Sequence, residues 1–267
     1  MVDFLDRVSR SVALRSGKLT QYTQLLDDSD IFSQFKKART LSLFSRLVES
    51  TGVFPKALEL KGVQCDLTHS VNEGGSGLIY KGIFEGKTVC VKAVRVHSHD
   101  RKDILSSASE VIIWTRLSHA NILPIRGIYI PAEKLRRLCM VSEWMDNGDL
   151  VRYLTHFPDT PRIPLLHDII SGLRYLHGLD IVHADLKASS VLVSETGRAL
   201  LVDFGLSQIV TVVTATTITI GGTVYWMAPE QLISDEMQPP TPESDVWSFG
   251  CVCYEVNLPQ VHDHSYC

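Results

Sequence analysis

The sequence predicts an α+β protein built as two lobes, and three observations carry that prediction. From about residue 65 to 142 the apolar residues fall in short runs of strand character, "GLIYKGIF", "TVCVKAV" and "LRRLCMVSEW", interrupted by a helical stretch around Ile104–Leu117. After about residue 145 the spacing turns mostly helical, broken by the short runs "VLVS" and "ALLVDFG". Ahead of both, Phe4, Leu5, Val8 and Val12, then Ile31, Phe32 and Phe35, then Leu41, Leu43, Phe44 and Leu47 recur at helical spacing. The expected organisation is a helical N-terminal extension at 1–55, a strand-rich lobe at 56–145, a helix-rich lobe at 146–256 and a divergent tail at 257–267. The extension ends at the turn "TGVFP" and reads as a packing appendage. A cleft is expected between the lobes.

Composition narrows the function classes. The chain has 267 residues, 45% hydrophobic and 21% charged, enough to bury a core and unlike a disordered or fibrous sequence. A formal net charge of -4 speaks against non-specific nucleic-acid binding. No apolar run approaches the roughly 20 residues that span a bilayer, so no membrane partner is expected. Six cysteines are scattered without a C-x-x-C pair or a signal peptide, which points to reduced thiols and an intracellular, cytoplasmic location. Cys267 is the last residue, so the end is not a prenylation signal.

Within the strand-rich part, "NEGGSGLIY" places Asn72, Gly74, Gly75 and Gly77 in a strand–turn–strand whose backbone amides can approach a phosphate. A plain hairpin has the same pattern. About a dozen residues later "TVCVKAV" sets Lys92 among apolar residues on a strand, where a bare ammonium needs an anionic partner. Glu110 in "SASEVIIWTRL" is a candidate for it, although a surface lysine and a solvated glutamate fit these two segments equally well.

The helix-rich part is more specific. His183, Asp185 and Lys187 in "IVHADLKASSVLV" are followed, 18 residues after Asp185, by "DFG" (Asp203, Phe204, Gly205), then "APE" (Ala228, Pro229, Glu230) and "SDVWSFG" (Ser244 to Gly250). Any one triplet occurs by chance; their joint order and spacing does not. Over residues 50 to 256 the chain resembles a eukaryotic protein kinase domain. Within that group it is most similar to tyrosine-kinase-like Ser/Thr kinases abundant in mushroom-forming fungi, where "GVFPKALEL" has counterparts.

The resemblance implies a two-lobed protein-kinase-like fold, the cofactors ATP and Mg²⁺, and a protein substrate that presents a Ser or Thr hydroxyl. It implies that Lys92 holds the α/β-phosphates, oriented by Glu110; that Asp203 binds Mg²⁺; that Asp185 accepts or orients the substrate hydroxyl; and that Lys187 faces the γ-phosphate. Lys187 together with Thr223 matches the Ser/Thr pattern. Asn72, Gly74, Gly75 and Gly77 would form the phosphate loop, and adenine would sit between Ile79 and Cys90 on one side and Leu192 on the other. Glu143 to Met145 would make the hinge contacts beside a small gatekeeper, Ser142. Trp114, Ile125, His183 and Phe204 would form an internal spine anchored by Asp245.

Several positions depart from the family pattern. Asn72 replaces a glycine, and Ser76 replaces the aromatic at the loop tip. Ala184 replaces an arginine, removing a cation that pairs with a phosphorylated activation loop, so the loop threonines from Thr211 to Thr219 read as β-formers. Ser190 stands at the second metal position, where the family has an asparagine that ligates a second Mg²⁺ and hydrogen-bonds the catalytic aspartate; its shorter, weaker hydroxyl would ligate only if the loop moved or a water bridged, which predicts impaired catalysis and leaves a second reading, a nucleotide-binding pseudokinase acting as an interaction module. After "SFGCVCYEV" the chain turns to "NLPQVHDHSYC" where the family continues with several helices, so the resemblance implies a C-terminally truncated lobe with an apolar face uncovered. "HDH" at 262–264 reads as a solvated tail.

Overall fold

Val89, Val91 and Ala93 alternate with Cys90 and Lys92, and a period of two builds a strand with two unlike faces. In the computed structural model of the protein, which describes residues 56–74, 77–94, 114–131, 138–203, 224–233 and 238–257, this run is the central strand β4 (Lys87–Val94). It pairs with β3 (Gly77–Phe84) through a tight turn at Glu85 and Gly86. Both turn residues have positive φ, 51° and 74°, the geometry whose twist matches the flanking strands. The sheet is antiparallel, in the order β1 (Gln64–Cys65), β3, β4, β6 (Cys139–Glu143), β5 (Ile125–Tyr129), with β2 (Asn72–Gly74) added to β3. Val63, Tyr80, Val89, Val91, Ala93, Cys139 and Val141 form the core against one face.

The described residues fall into two compact units, one holding this sheet and ending at Trp144, the other beginning at Met145. His119–Leu123 belongs to the second unit although sheet residues flank it in sequence. Its attachment is a set of backbone-scale bonds: Asn121 Nδ2 donates to the Ala199 carbonyl (3.1 Å), the Leu201 N–H to the Asn121 carbonyl (3.0 Å) and the Leu123 N–H to the Leu201 carbonyl (3.1 Å).

The second unit contains α1 (Leu150–His156), α2 (Arg162–His177), the hairpin β7 (Val191–Val193) and β8 (Ala199–Leu201), α3 (Pro229–Ile233) and α4 (Pro242–Asn257). In α2 the buried residues Leu165, Asp168, Ile169, Gly172, Leu173 and Leu176 follow the three-and-four spacing of one helix face. Gly172 sits there because a Cβ would lie 2.8 Å from Leu201 Cδ1 and 2.9 Å from the Asn121 carbonyl oxygen, so β8 packs directly on the helix backbone. Asp168 on the same face is tied to Arg198 Nε (2.8 Å) and to the Ala199 N–H (3.0 Å). Burial alone would raise its carboxyl, but these bonds and the guanidinium charge hold it below the usual range.

Helix α4 starts on a reciprocal cap: the Ser244 N–H donates to Thr241 Oγ1 (3.2 Å) and the Thr241 N–H to Ser244 Oγ (3.0 Å), with Pro242 at the first helical position. One side of α4 buries Ser244, Asp245, Ser248, Val252 and Val256. The other leaves Val246, Trp247 and Tyr254 exposed. Among the described residues no helix is long and apolar enough to cross a membrane.

Candidate active site

The pairing register decides which side chains the sheet presents together. Residues directly opposite across an antiparallel pair share a face, so Asn72, Ile79, Lys92 and Met140 form one row and Lys81, Cys90 and Ser142 the next. Every one of these lies on the face opposite the core of Val89, Val91 and Ala93. Asn72, Ile79, Cys90 and Lys92, four residues expected to meet the nucleotide, are thereby collected on one surface of the sheet. Lys92 is only 8% exposed. Gly74 and Gly77 pair at the end of the β2–β3 ladder. Gly77 has φ +148°, and a Cβ there would lie 2.3 Å from the Ala93 carbonyl oxygen, so only glycine lets β3 close on β4 beside Lys92. At the far end of β6, Ser142 is buried and Glu143 is exposed.

In the second unit the segment from Ile181 to Ser190 is organised by hydrogen bonds. Lys187 Nζ meets Asp185 Oδ2 at 2.9 Å, both half-buried, so the carboxylate and the ammonium are held as a pair. His183 is fully buried, and burial pushes its imidazole below the usual range against the pull of Asp245, Asp185 and Asp203. Nε2 faces the Val202 carbonyl oxygen at 3.0 Å and must carry the proton, which leaves Nδ1 to accept from the Asp185 N–H at 3.4 Å. The Val202 N–H in turn donates to the Ser190 carbonyl at 3.0 Å. Both backbone groups of Val202 are thus gripped by the loop, and the next residue is Asp203, a half-buried carboxylate on a backbone with φ +66°.

Ser190 is buried, and its hydroxyl accepts from the Lys187 N–H (2.9 Å) and lies within donating distance of the Asp185 (3.0 Å) and Lys187 (2.8 Å) carbonyls. Leu192 follows on β7, half-buried, bridged to Asp149 at the start of α1. Met145 opens the unit, its carbonyl accepting the Gly148 N–H at 3.0 Å.

From α4, Asp245 reaches the loop with both oxygens. Oδ2 accepts from the His183 N–H (2.8 Å) and from His177 Nε2 (2.8 Å), and Oδ1 accepts from the Ala184 N–H (2.9 Å). Ala184 has φ +67°, which turns two successive amides toward one carboxylate. Ten residues on, Glu255 Oε2 accepts from the Ala188 N–H and from the Trp226 indole N–H, each at 3.0 Å. Sequence reading gave Glu255 no role; the one available signal was that Ala188 is not proline and so has an amide to offer.

Burial pushes the Glu255 carboxyl above the usual carboxylate range, opposed by the bonds from Ala188 and Trp226. A carboxyl with a raised folded-state pKa binds its proton more readily in the native than in the unfolded chain. Its contribution to stability therefore improves as pH falls through the folded value toward the ordinary one. Glu255→Gln keeps an oxygen for both donors and removes the buried charge. The variant is expected to melt higher than wild type at pH 8, with the difference shrinking toward pH 5; a difference that grows on acidification would contradict this account.

Among the described residues no three His, Cys, Asp or Glu side chains gather at one point. Mg²⁺ needs only one or two protein carboxylates when phosphates and water complete its shell, and Asp203 would supply one. Glu110, Gly75, Ser76, Phe204 and Thr223 lie outside the described residues, as do the 1–55 extension and "HDH".

The family described as protein kinase domain matches residues 66–262. The chain belongs to the protein kinase domain family. The kinase domain is 33% identical over 201 residues to a probable serine/threonine-protein kinase of Dictyostelium discoideum, covering 73% of this chain and 21% of that protein. It is 34% identical over 222 residues to a wall-associated receptor kinase-like protein of Arabidopsis thaliana, covering 78% and 28%. To a serine/threonine-protein kinase of Arabidopsis thaliana it is 32% identical over 195 residues, covering 70% and 32%. This kinase domain spans well under half the length of these relatives. Its two units carry the α+β division expected of the fold.

Proposed function

We propose that the chain catalyses transfer of the γ-phosphoryl group of ATP to a Ser or Thr hydroxyl of a protein, as a member of the tyrosine-kinase-like group. The observation that carries this reading is the segment around Asp185, where the Asp185–Lys187 pair stands at 2.9 Å and the bonds of His183 and Ser190 to Val202 tie this loop to the residue next to Asp203. Phosphoryl transfer asks mainly for positioning and charge neutralisation, and this network supplies positioning. In the proposed roles Lys92 neutralises the α/β-phosphates, with Glu110 as its orienting partner. Asp203 ligates Mg²⁺, which neutralises charge on the phosphates when bound. Asp185 orients the acceptor hydroxyl and takes its proton, and Lys187 faces the γ-phosphate. Asn72, Gly74, Gly75 and Gly77 line the phosphates, Ile79, Cys90 and Leu192 flank adenine, and Glu143 and Met145 bond its edge. The half-buried carboxylate and ammonium of Asp185 and Lys187 are poised for a reaction that moves one proton off an alcohol.

The test is a thermal melt with and without Mg²⁺ and ATP, followed by a radiolabelled single-turnover assay on a generic basic protein. At 100 times Kd the nucleotide is expected to stabilise by about 2.7 kcal/mol, a rise of roughly 5–10 °C for a domain of this size. Lys92→Ala should remove the rise. A shift without label transfer would favour the interaction-module reading; neither shift nor transfer would sink both.

A further inference from the structure

Two positions of this chain were expected to hold the cation, Asp203 and Ser190, and the structure treats them differently. Asp203 is half-buried. Ser190 is 0% exposed. A serine hydroxyl has one proton and two lone pairs. Here one lone pair takes the Lys187 N–H at 2.9 Å, and the proton is shared between the Asp185 carbonyl at 3.0 Å and the Lys187 carbonyl at 2.8 Å. The second lone pair is shut in with a residue that is 0% exposed, so to reach a cation that requires near-ideal octahedral geometry at about 2.0–2.1 Å the hydroxyl would have to turn away from these partners. The cost is the loop itself. Lys187 N–H and the Asp185 carbonyl are the backbone groups that flank the Asp185–Lys187 pair, and Ser190 also holds the Val202 N–H through its own carbonyl at 3.0 Å. One buried residue therefore fastens the turn that carries Asp185 to the strand end that carries Asp203.

We infer that Ser190 is a positioning residue, a clasp of the catalytic loop rather than a metal ligand, and that this chain binds one divalent cation with the nucleotide, through Asp203. The inference rests on the nucleotide-binding reading above. It separates two jobs that an asparagine at this position would do together. The hydrogen bond to the Asp185 carbonyl is kept, and the metal contact is given up.

The experiment counts bound Mn²⁺ on the full chain by electron paramagnetic resonance, in the presence of a saturating non-hydrolysable ATP analogue. Wild type is expected to bind one Mn²⁺ per chain, and Ser190→Ala one with a Kd within threefold. Two Mn²⁺ per wild-type chain would overturn the inference and leave nucleotide binding standing; none would overturn both. A tenfold or greater loss of Mn²⁺ affinity in Ser190→Ala would also overturn it. The clasp has its own readout, amide hydrogen exchange at Lys187. Exchange there should accelerate tenfold or more in Ser190→Ala and return toward wild type in Ser190→Thr, which restores a hydroxyl. Unchanged exchange in Ser190→Ala would show that the hydroxyl fastens nothing.

Discussion

Asp185→Asn is expected to lower the rate of phosphoryl transfer by about 10²–10⁴-fold while leaving the nucleotide-induced thermal shift in place. The variant conserves shape, and its side-chain oxygen still reaches Lys187 Nζ, which stands 2.9 Å from Asp185 Oδ2 in the wild type. What it loses is the ability to take a proton. An amide cannot accept the hydrogen of a serine or threonine hydroxyl as the attack develops, so the loss appears in the transition state and not in the ground state. Turnover should fall with the ATP KM nearly unchanged, the pattern of an interaction made only on the way to product. Lys187→Ala should behave differently, raising the ATP KM as well if its ammonium faces the γ-phosphate. If Asp185→Asn turns over within threefold of wild type, Asp185 is not the acceptor of the proton and the assignment of this loop fails.

The two central strands were legible because the physics that forms them is local. "GLIYKGIF" is β3 residue for residue, and "TVCVKAV" lies wholly within β4, since a period-two pattern with one buried face fixes both strand and register. "IRGIY" was not recognised as β5, and its sequence shows why. Arg126 and Gly127 break the alternation, and the ladder to β6 slips between Ile125 and Gly127. Gly127 is required by a distant neighbour: a Cβ would fall 2.6 Å from the Leu58 carbonyl oxygen. Nothing local to residues 125–129 announces that. The same holds for His119–Leu123, whose partners at Ala199 and Leu201 lie nearly 80 residues away. In the candidate site, residue types could be read from the motifs, and Asp245, expected to anchor a spine that includes His183, accepts the His183 N–H. The direction of the Ser190 hydroxyl and the reach of Glu255 to Ala188, 67 residues apart, depend on tertiary geometry that no spacing encodes.

Asp245→Ala is expected to produce the largest loss of stability of any single substitution in the second unit. The side chain is 1% exposed and receives three donors, the His183 N–H, the Ala184 N–H and His177 Nε2, at 2.8 to 2.9 Å. Truncation leaves two backbone amides without their acceptor in or beside the core, at about 1–3 kcal/mol each. It also removes the restraint on Ala184, whose left-handed backbone costs roughly 1–2 kcal/mol for a residue with a Cβ and persists only while both amides are satisfied. The two amides together cost roughly 2–6 kcal/mol, offset in part where Ala184 relaxes, which is a large part of the 5–15 kcal/mol that holds a typical domain together. In urea the midpoint should fall without a change in slope, and amide exchange at His183 and Ala184 should rise toward that of exposed loops. Asp245→Asn separates the two contributions. Its single oxygen can still serve one pair of donors, but its NH₂ faces a donor where Oδ1 or Oδ2 accepted, so about half of the loss is expected. Because His183 N–H and Nε2–H link Asp245 to Val202, the same variant should loosen the strand end that carries Asp203 and weaken Mn²⁺ binding in chains that remain folded. An Asp245→Ala protein that unfolds at the wild-type midpoint and exchanges His183 no faster would mean that the catalytic loop holds its shape without α4.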